Sequence, residues 1–273
     1  MLIHGSGMNA RSWVRQLDAL AGTLRIAALD LPGHGESDPA PHASVEDYAD
    51  VVGDFLAALE SAPALVIGHS LGGSIALALA ARRPELVRGL VLIGTCVKLP
   101  LVDSLGERLV AYLPAPLRRL VFFSMVQKVL FGPESPAEAV AATMQALRAC
   151  RPETMQGDVR AARAMDLTES ASRLDVPTLV LIGSRDRLTT PALAARLSTL
   201  IRGSRLRIME GAGHMLPLEA PRWVNREIAT FAASLDAPTS SAAGADGARR
   251  PLLRHVLDRL SRLARRRSGD ALT

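Results

Sequence analysis

The stretch Ala64-Leu65-Val66-Ile67-Gly68-His69-Ser70-Leu71-Gly72-Gly73, followed by Ser74-Ile75-Ala76-Leu77-Ala78-Leu79-Ala80-Ala81, decides the fold. An apolar run ends in a tight turn, and an Ala/Leu-rich run follows at once. That reads as strand, turn, helix, with Ser70 at the tip. Gly68 and Gly72 flank the serine in a Gly-x-Ser-x-Gly spacing, the nucleophile elbow. A turn this sharp brings backbones too close for a Cβ, so glycine belongs on both sides. The serine hydroxyl is lifted to the start of a helix. There the N–H of Leu71 and the helix dipole favour developing negative charge.

The same alternation runs outward in both directions. Upstream, Met1-Leu2-Ile3 is the stump of a strand, His4-Gly5-Ser6-Gly7 a turn, and Ala10–Leu20 a helix with Trp13, Leu17 and Leu20 on one face. Leu24–Leu29 is expected as a strand, followed by the Pro/Gly-punctuated loop Asp30-Leu31-Pro32-Gly33-His34-Gly35-Glu36-Ser37. Ser44 caps a helix, with Asp47 three residues on as a variant capping box. Downstream come strand Val87–Ile93, strand Pro177–Gly183, helix Pro191–Ile201, strand Arg205–Met209 and helix Arg222–Leu235. Strands alternating with helices give an α/β fold: a mainly parallel sheet with helices on both faces.

The alternation breaks between residues 97 and 172, where the pattern is helical and punctuated by prolines. The domain reading is therefore a core over 1–96 and 173–235, interrupted by a helical cap or lid over 97–172. The segment 236–250 is rich in Ala, Ser, Gly and Asp and reads as a flexible linker. Beyond it, 251–273 is a basic amphipathic tail, with Leu252, Leu253, Val256, Leu257, Leu260 and Leu263 on one stripe.

Composition narrows the classes of function. Of the net charge of +5, the segment 236–273 holds +4 (eight Arg, four Asp), which leaves the body at +1. A nearly neutral body argues against nucleic acid as a partner. Cys96 and Cys150 lie far apart and in no CxxC pattern, so neither a disulfide framework nor a metal site is expected, and no cofactor motif is present. The chain shows neither a signal peptide nor a long apolar span, and a cytoplasmic location is expected.

A serine hydroxyl needs a base, and the base needs an orienting acid. Asp186 in Gly183-Ser184-Arg185-Asp186 and His214 in Gly211-Ala212-Gly213-His214 each follow a strand. In a parallel sheet both loops emerge at the carboxyl edge that carries Ser70. Asp103 is the alternative acid. The other histidines lie in turns or in solvated segments: His4, His34 and His69 in the first group, His42 and His255 in the second.

With these residues in hand, the chain resembles the α/β-hydrolase superfamily. The resemblance rests on His4-Gly5, Asp30 to Ser37, Gly68 to Gly73, Gly183 to Asp186 and Gly211 to His214, in the family's order over about residues 1–235. It is similar in particular to capped serine esterases and lactonases: the pimeloyl-carrier-protein methyl esterase, enol-lactonase and haloperoxidase-like members. The resemblance implies nucleophile Ser70, acid Asp186 and base His214, with an oxyanion hole from the backbone N–H groups of Ser6 and Leu71. It implies ester, lactone or thioester hydrolysis through an acyl-enzyme. Relatives that form an alkyl ester carry Asp at the elbow, which Ser70 excludes. The alternatives are a C–C bond hydrolase or cofactor-free perhydrolase with the same triad, or a non-catalytic or truncated member of the fold.

The resemblance also implies a hairpin and a longer strand before His4-Gly5. Only Met1-Leu2-Ile3 precede it, so a truncated or misplaced start is expected, with Leu24–Leu29 left as an exposed edge. Pocket candidates are His4, His69, Leu99, Leu105, Phe122, Met125 and Met215, suited to a small hydrophobic acyl ester. The tail is expected to dock on the body, to lie on a membrane surface or to pair with a partner helix.

Overall fold

An apolar run without polar alternation suits a strand covered on both faces, and strand β3 (Ala64–His69) is buried from Leu65 onward. The computed structural model describes residues 1–39, 44–100 and 115–236. Among these, β3 is a middle strand of a six-stranded, all-parallel sheet. The order is β2 (Ala28–Leu29), β1 (Leu2–Ile3), β3, β4 (Val87–Ile93), β5 (Thr178–Gly183) and β6 (Arg205–Met209). Register runs Leu65↔Gly89 to His69↔Ile93 and Leu90↔Thr178 to Ile93↔Leu181, so the strands that carry the candidate residues end together.

Side-chain alternation along the strands builds two cores. Ile3, Val66, Leu90, Leu92, Val180 and Ile182 pack with helices α2 (Val45–Ala58), α3 (Leu71–Arg82) and α8 (Pro191–Leu200). Leu2, Leu65, Ile67, Val91, Ile93, Leu179 and Leu181 face the other way, toward α1 (Val14–Leu20) and α10 (Pro221–Asp236). Helix α3 is buried from Leu71 through Ala80, which is why its sequence carries almost no polar residue. The capping box forms as read: Ser44 Oγ accepts from Asp47 N–H at 3.1 Å, and Asp47 Oδ2 accepts from Ser44 N–H at 3.0 Å.

Three expectations need correction. The strand expected over Leu24–Leu29 is only Ala28–Leu29, because its sole neighbour β1 offers two residues to pair with. It is the edge strand, as expected. The stump itself leaves fewer groups unpaired than its length suggests. Leu2 and Ile3 pair with β2 on one side and β3 on the other, and Met1 adds bonds to Leu65 O (2.9 Å) and from Ile67 N–H (2.8 Å). The helix read over Ala10–Leu20 opens as a 3₁₀ turn, Ala10–Trp13, before α1.

The described part of 97–172 is helical: α4 (Ala115–Leu130), α5 (Ala137–Ala149), α6 (Pro152–Ala164) and α7 (Thr168–Ser172). No strand occurs there among the described residues. Asp103, Leu105, the Phe122 side chain, the linker beyond Asp236 and the tail 251–273 lie outside the described residues. A short helix α9 (Leu216–Glu219) follows the β6 loop.

Candidate active site

Ser70 has φ +53° and ψ −121°, a conformation that non-glycine residues rarely adopt. Its surroundings hold it there. The Ser70 N–H donates to Ile93 O at 2.8 Å, and Ser70 O accepts from Gly73 and Ser74 at the first turn of α3. A Cβ on Gly72 would run into the carbonyl oxygens of Ile3 and His4, and one on Gly68 into Gly72 O. Both glycines are therefore fixed by close approach, as the spacing implied. The turn leaves Ser70 partly exposed among buried neighbours, at the helix N-terminus.

Asp186 and His214 meet from two separate loops. His214 Nδ1–H donates to Asp186 Oδ2 at 2.8 Å, and both side chains are almost fully buried. The same carboxylate accepts from Leu188 N–H (2.8 Å), Thr189 N–H (2.9 Å) and the Thr189 hydroxyl (2.9 Å). Burial pushes the Asp186 carboxyl up, but the His214 charge, its hydrogen bond and the Thr189 donors outweigh that and hold it at about 2. The acid is therefore ionised. With Nδ1 committed, Nε2 is the ring nitrogen left to take a proton.

Ser70 and His214 flank the same strand end. Ser70 bonds Ile93, and a Cβ on the next residue, Gly94, would lie 3.3 Å from His214 Nδ1. The structure records no hydrogen bond between the Ser70 hydroxyl and the ring. Gly5 closes the third side: a Cβ there would lie 3.0 Å from Ser70 Cβ and 3.2 Å from His69 Nδ1. The turn that carries Ser6 thus lies against the serine.

His4 and His69 serve as supports rather than pocket walls. His4 Nδ1 donates to Gly5 O (2.8 Å) and Nε2 accepts from Leu31 N–H (3.0 Å), tying the β1 loop to the β2 loop. His69 Nε2 donates to His214 O at 2.9 Å and its ring lies 5.0 Å from that of His214. Burial, then the neighbouring His34, lowers His4 to about 4; burial, then His214, lowers His69 to about 3. Both are neutral rings with one fixed tautomer.

The remaining pocket candidates divide. Met215 is buried with Met8, Phe131 and Ala139, and Leu99 packs on the core edge. Met125 is 45% exposed, against its expected inward position.

Four groups escaped sequence reading. The Thr189 hydroxyl donates to Asp186 Oδ2, and its oxygen faces His214 Nδ1–H as a second acceptor at 3.2 Å; an Asp-x-x-Thr turn was its only signal. Glu219 Oε2 accepts from Gly213 N–H (2.8 Å), Gly132 N–H (3.2 Å) and the Ser135 hydroxyl, and so anchors the histidine loop to the segment after α4. Leu130 O takes the His214 N–H at 2.7 Å. Asp158, buried on α6, bonds His34, Tyr48 and Gly7.

Comparison with known proteins identifies the family. The sequence matches the alpha/beta hydrolase family over residues 1–227. The chain belongs to the alpha/beta hydrolase family. Among its relatives is a pimeloyl-[acyl-carrier protein] methyl ester esterase of Neisseria meningitidis serogroup C. It is 32% identical over 222 residues, which cover 78% of this chain and 85% of the relative. The 2-hydroxymuconate semialdehyde hydrolase of a Pseudomonas species is 31% identical over 255 residues, 88% of this chain and 89% of that protein. Among solved structures, the enol-lactonase from Burkholderia xenovorans superimposes with a TM-score of 0.74 at 25% identity, covering 85% of this chain and 90% of that one. This family member, among its described residues, has no helix long and apolar enough to cross a membrane.

Proposed function

We propose that this alpha/beta hydrolase cleaves carboxylic esters, lactones or thioesters through an acyl-enzyme on Ser70. The observation that carries the reading is the ionised, buried Asp186 bonded to His214, beside a serine held at positive φ on a helix N-terminus. In this reading His214 Nε2 takes the Ser70 proton as Oγ attacks the carbonyl carbon. The N–H groups of Leu71 and Ser6 receive the oxyanion. The tetrahedral intermediate collapses, His214 returns the proton to the leaving alcohol or thiol, and water repeats the sequence to release the acid. Asp186 keeps the ring in its tautomer and balances the imidazolium.

The helices of 97–172 act in this reading as a cap. They touch the candidate loops through Leu130 O, Gly132 N–H and Asp158. A small hydrophobic acyl group is the substrate class, in keeping with esterase and lactonase relatives. A second reading, C–C bond hydrolysis with the same residues, draws on the 31% identity to a hydrolase of 2-hydroxymuconate semialdehyde.

A substrate panel separates the two. Purified protein is assayed on p-nitrophenyl esters of short, medium and long acyl chains, a γ-lactone, an acyl thioester and a vinylogous β-diketone. The ester reading expects kcat/KM on the best ester to exceed that on the diketone by about tenfold or more. A diketone turned over faster than every ester would replace it with the second.

A further inference from the structure

Asp158 is the one carboxylate on α6 that is fully buried, and a buried charge is costly unless it is paired and hydrogen-bonded. Here both of its oxygens are hydrogen-bonded. Tyr48 O–H donates to Oδ1 at 2.7 Å, while His34 Nε2–H (2.9 Å) and Gly7 N–H (3.3 Å) donate to Oδ2. His34 Nδ1 faces Pro32 O at 3.2 Å, so each ring nitrogen meets an oxygen partner. Burial raises the Asp158 carboxyl, but the His34 bond and charge and the Tyr48 and Ser6 donors outweigh it and keep it ionised.

Holding α6 on the body does not require these bonds. Arg151 Nε and the Thr154 hydroxyl already bond Gly33 O at 3.0 and 3.1 Å, and Arg151 Nη2 bonds Ser37 O at 2.8 Å. What Asp158 adds is a hold on the turn after β1. Gly7 has φ +68°, and the Met155 side chain fills the place its Cβ would take. The preceding Ser6 also points its hydroxyl at Met155 Sδ (3.5 Å). That turn lies against Ser70 through Gly5.

We propose that Asp158, hydrogen-bonded to His34 and Tyr48, is a positioning residue for the oxyanion turn: it fixes Gly7 N–H and so aims the adjacent Ser6 N–H at the carbonyl oxygen of the substrate. The proposal rests on the hydrolase reading above. It assigns the α6 segment a part in catalysis beyond shaping a pocket. A buried, hydrogen-bonded carboxylate is a poor way to add stability but a good way to fix direction, and a mis-aimed donor weakens transition-state binding more than substrate binding.

The test is Asp158→Asn, which keeps the shape and removes the charge. On p-nitrophenyl acetate, kcat should fall by about 10- to 100-fold with KM within about twofold of wild type. The Ki of a trifluoromethyl ketone, which forms an oxyanion on the serine, should rise by the same factor as kcat/KM falls. Equal kcat in wild type and a folded Asp158→Asn protein, or a loss confined to KM, overturns the proposal. If Asp158→Asn does not fold, Tyr48→Phe decides. There kcat should fall by about threefold or more at unchanged KM, and unchanged kcat overturns the proposal. A wild-type protein that neither turns over esters nor reacts with the ketone removes the hydrolase reading, and the proposal with it. Activity in wild type and variant alike removes the proposal alone.

Discussion

Ser70→Ala lowers kcat on p-nitrophenyl esters by about 10⁶-fold, to the level set by binding and the remaining oxyanion donors. The size follows from chemistry rather than from packing. The hydroxyl is the only group of the elbow that forms a bond to substrate in the proposed route, and no neighbouring side chain replaces it. His4 and His69 are neutral and tied to backbone, so neither can become the nucleophile. The fold should survive, since the strained turn is imposed by Gly68, Gly72 and the Ile93 bond, and alanine fits where serine does. Steady-state assays with far-UV circular dichroism check both statements. Burst kinetics retained by the alanine variant would contradict the assignment.

Asp186→Asn is the second large effect, about 10⁴-fold in kcat. The amide cannot balance the imidazolium, and its NH₂ invites the wrong ring tautomer at Nδ1. The Leu188 and Thr189 donors to Oδ1 still have an acceptor, so the loop should keep its shape. The same substitution has a pH signature. The folded carboxyl lies at about 2 against an ordinary 3.8, a depressed value. The stability from its ionisation is therefore fully present above roughly pH 4 and is lost as pH falls toward about 2. Asparagine does not titrate. The melting-temperature advantage of wild type over the variant should thus be constant above roughly pH 5 and shrink as acid is added. A gap that widens in acid would contradict the ionised Asp186.

Much of this was legible in sequence because it is local. Gly68 and Gly72 around Ser70 report a backbone approach within a few residues, and Ser44 with Asp47 reports a cap within one turn. Apolar runs such as Val87–Ile93 report strands covered on both faces. Loops after β5 and β6 could be placed beside the elbow because parallel topology carries every such loop to one edge. What failed was non-local. Leu24 to Ile26 have strand-like composition, yet pairing needs a partner, and β1 supplies two residues. Met125 has core-like composition, yet its exposure depends on how α4 lies. Asp158 meets Tyr48, His34 and Gly7 across 110, 124 and 151 residues of chain, and no helical periodicity announces such a contact. Glu219 looks like a solvated helix residue until Gly132 and Gly213 bring their N–H groups to it.

The central claim is that Ser70 is an activated nucleophile, and a fluorophosphonate probe tests it most directly. The probe reacts only with a serine whose proton is taken by a base and whose oxyanion is received. Intact-mass and peptide mass spectrometry of the full chain should show a single adduct, located on Ser70, that is absent from Ser70→Ala and nearly absent from His214→Ala. A folded wild-type chain that remains unlabelled, or one labelled at a serine other than Ser70, would contradict the account.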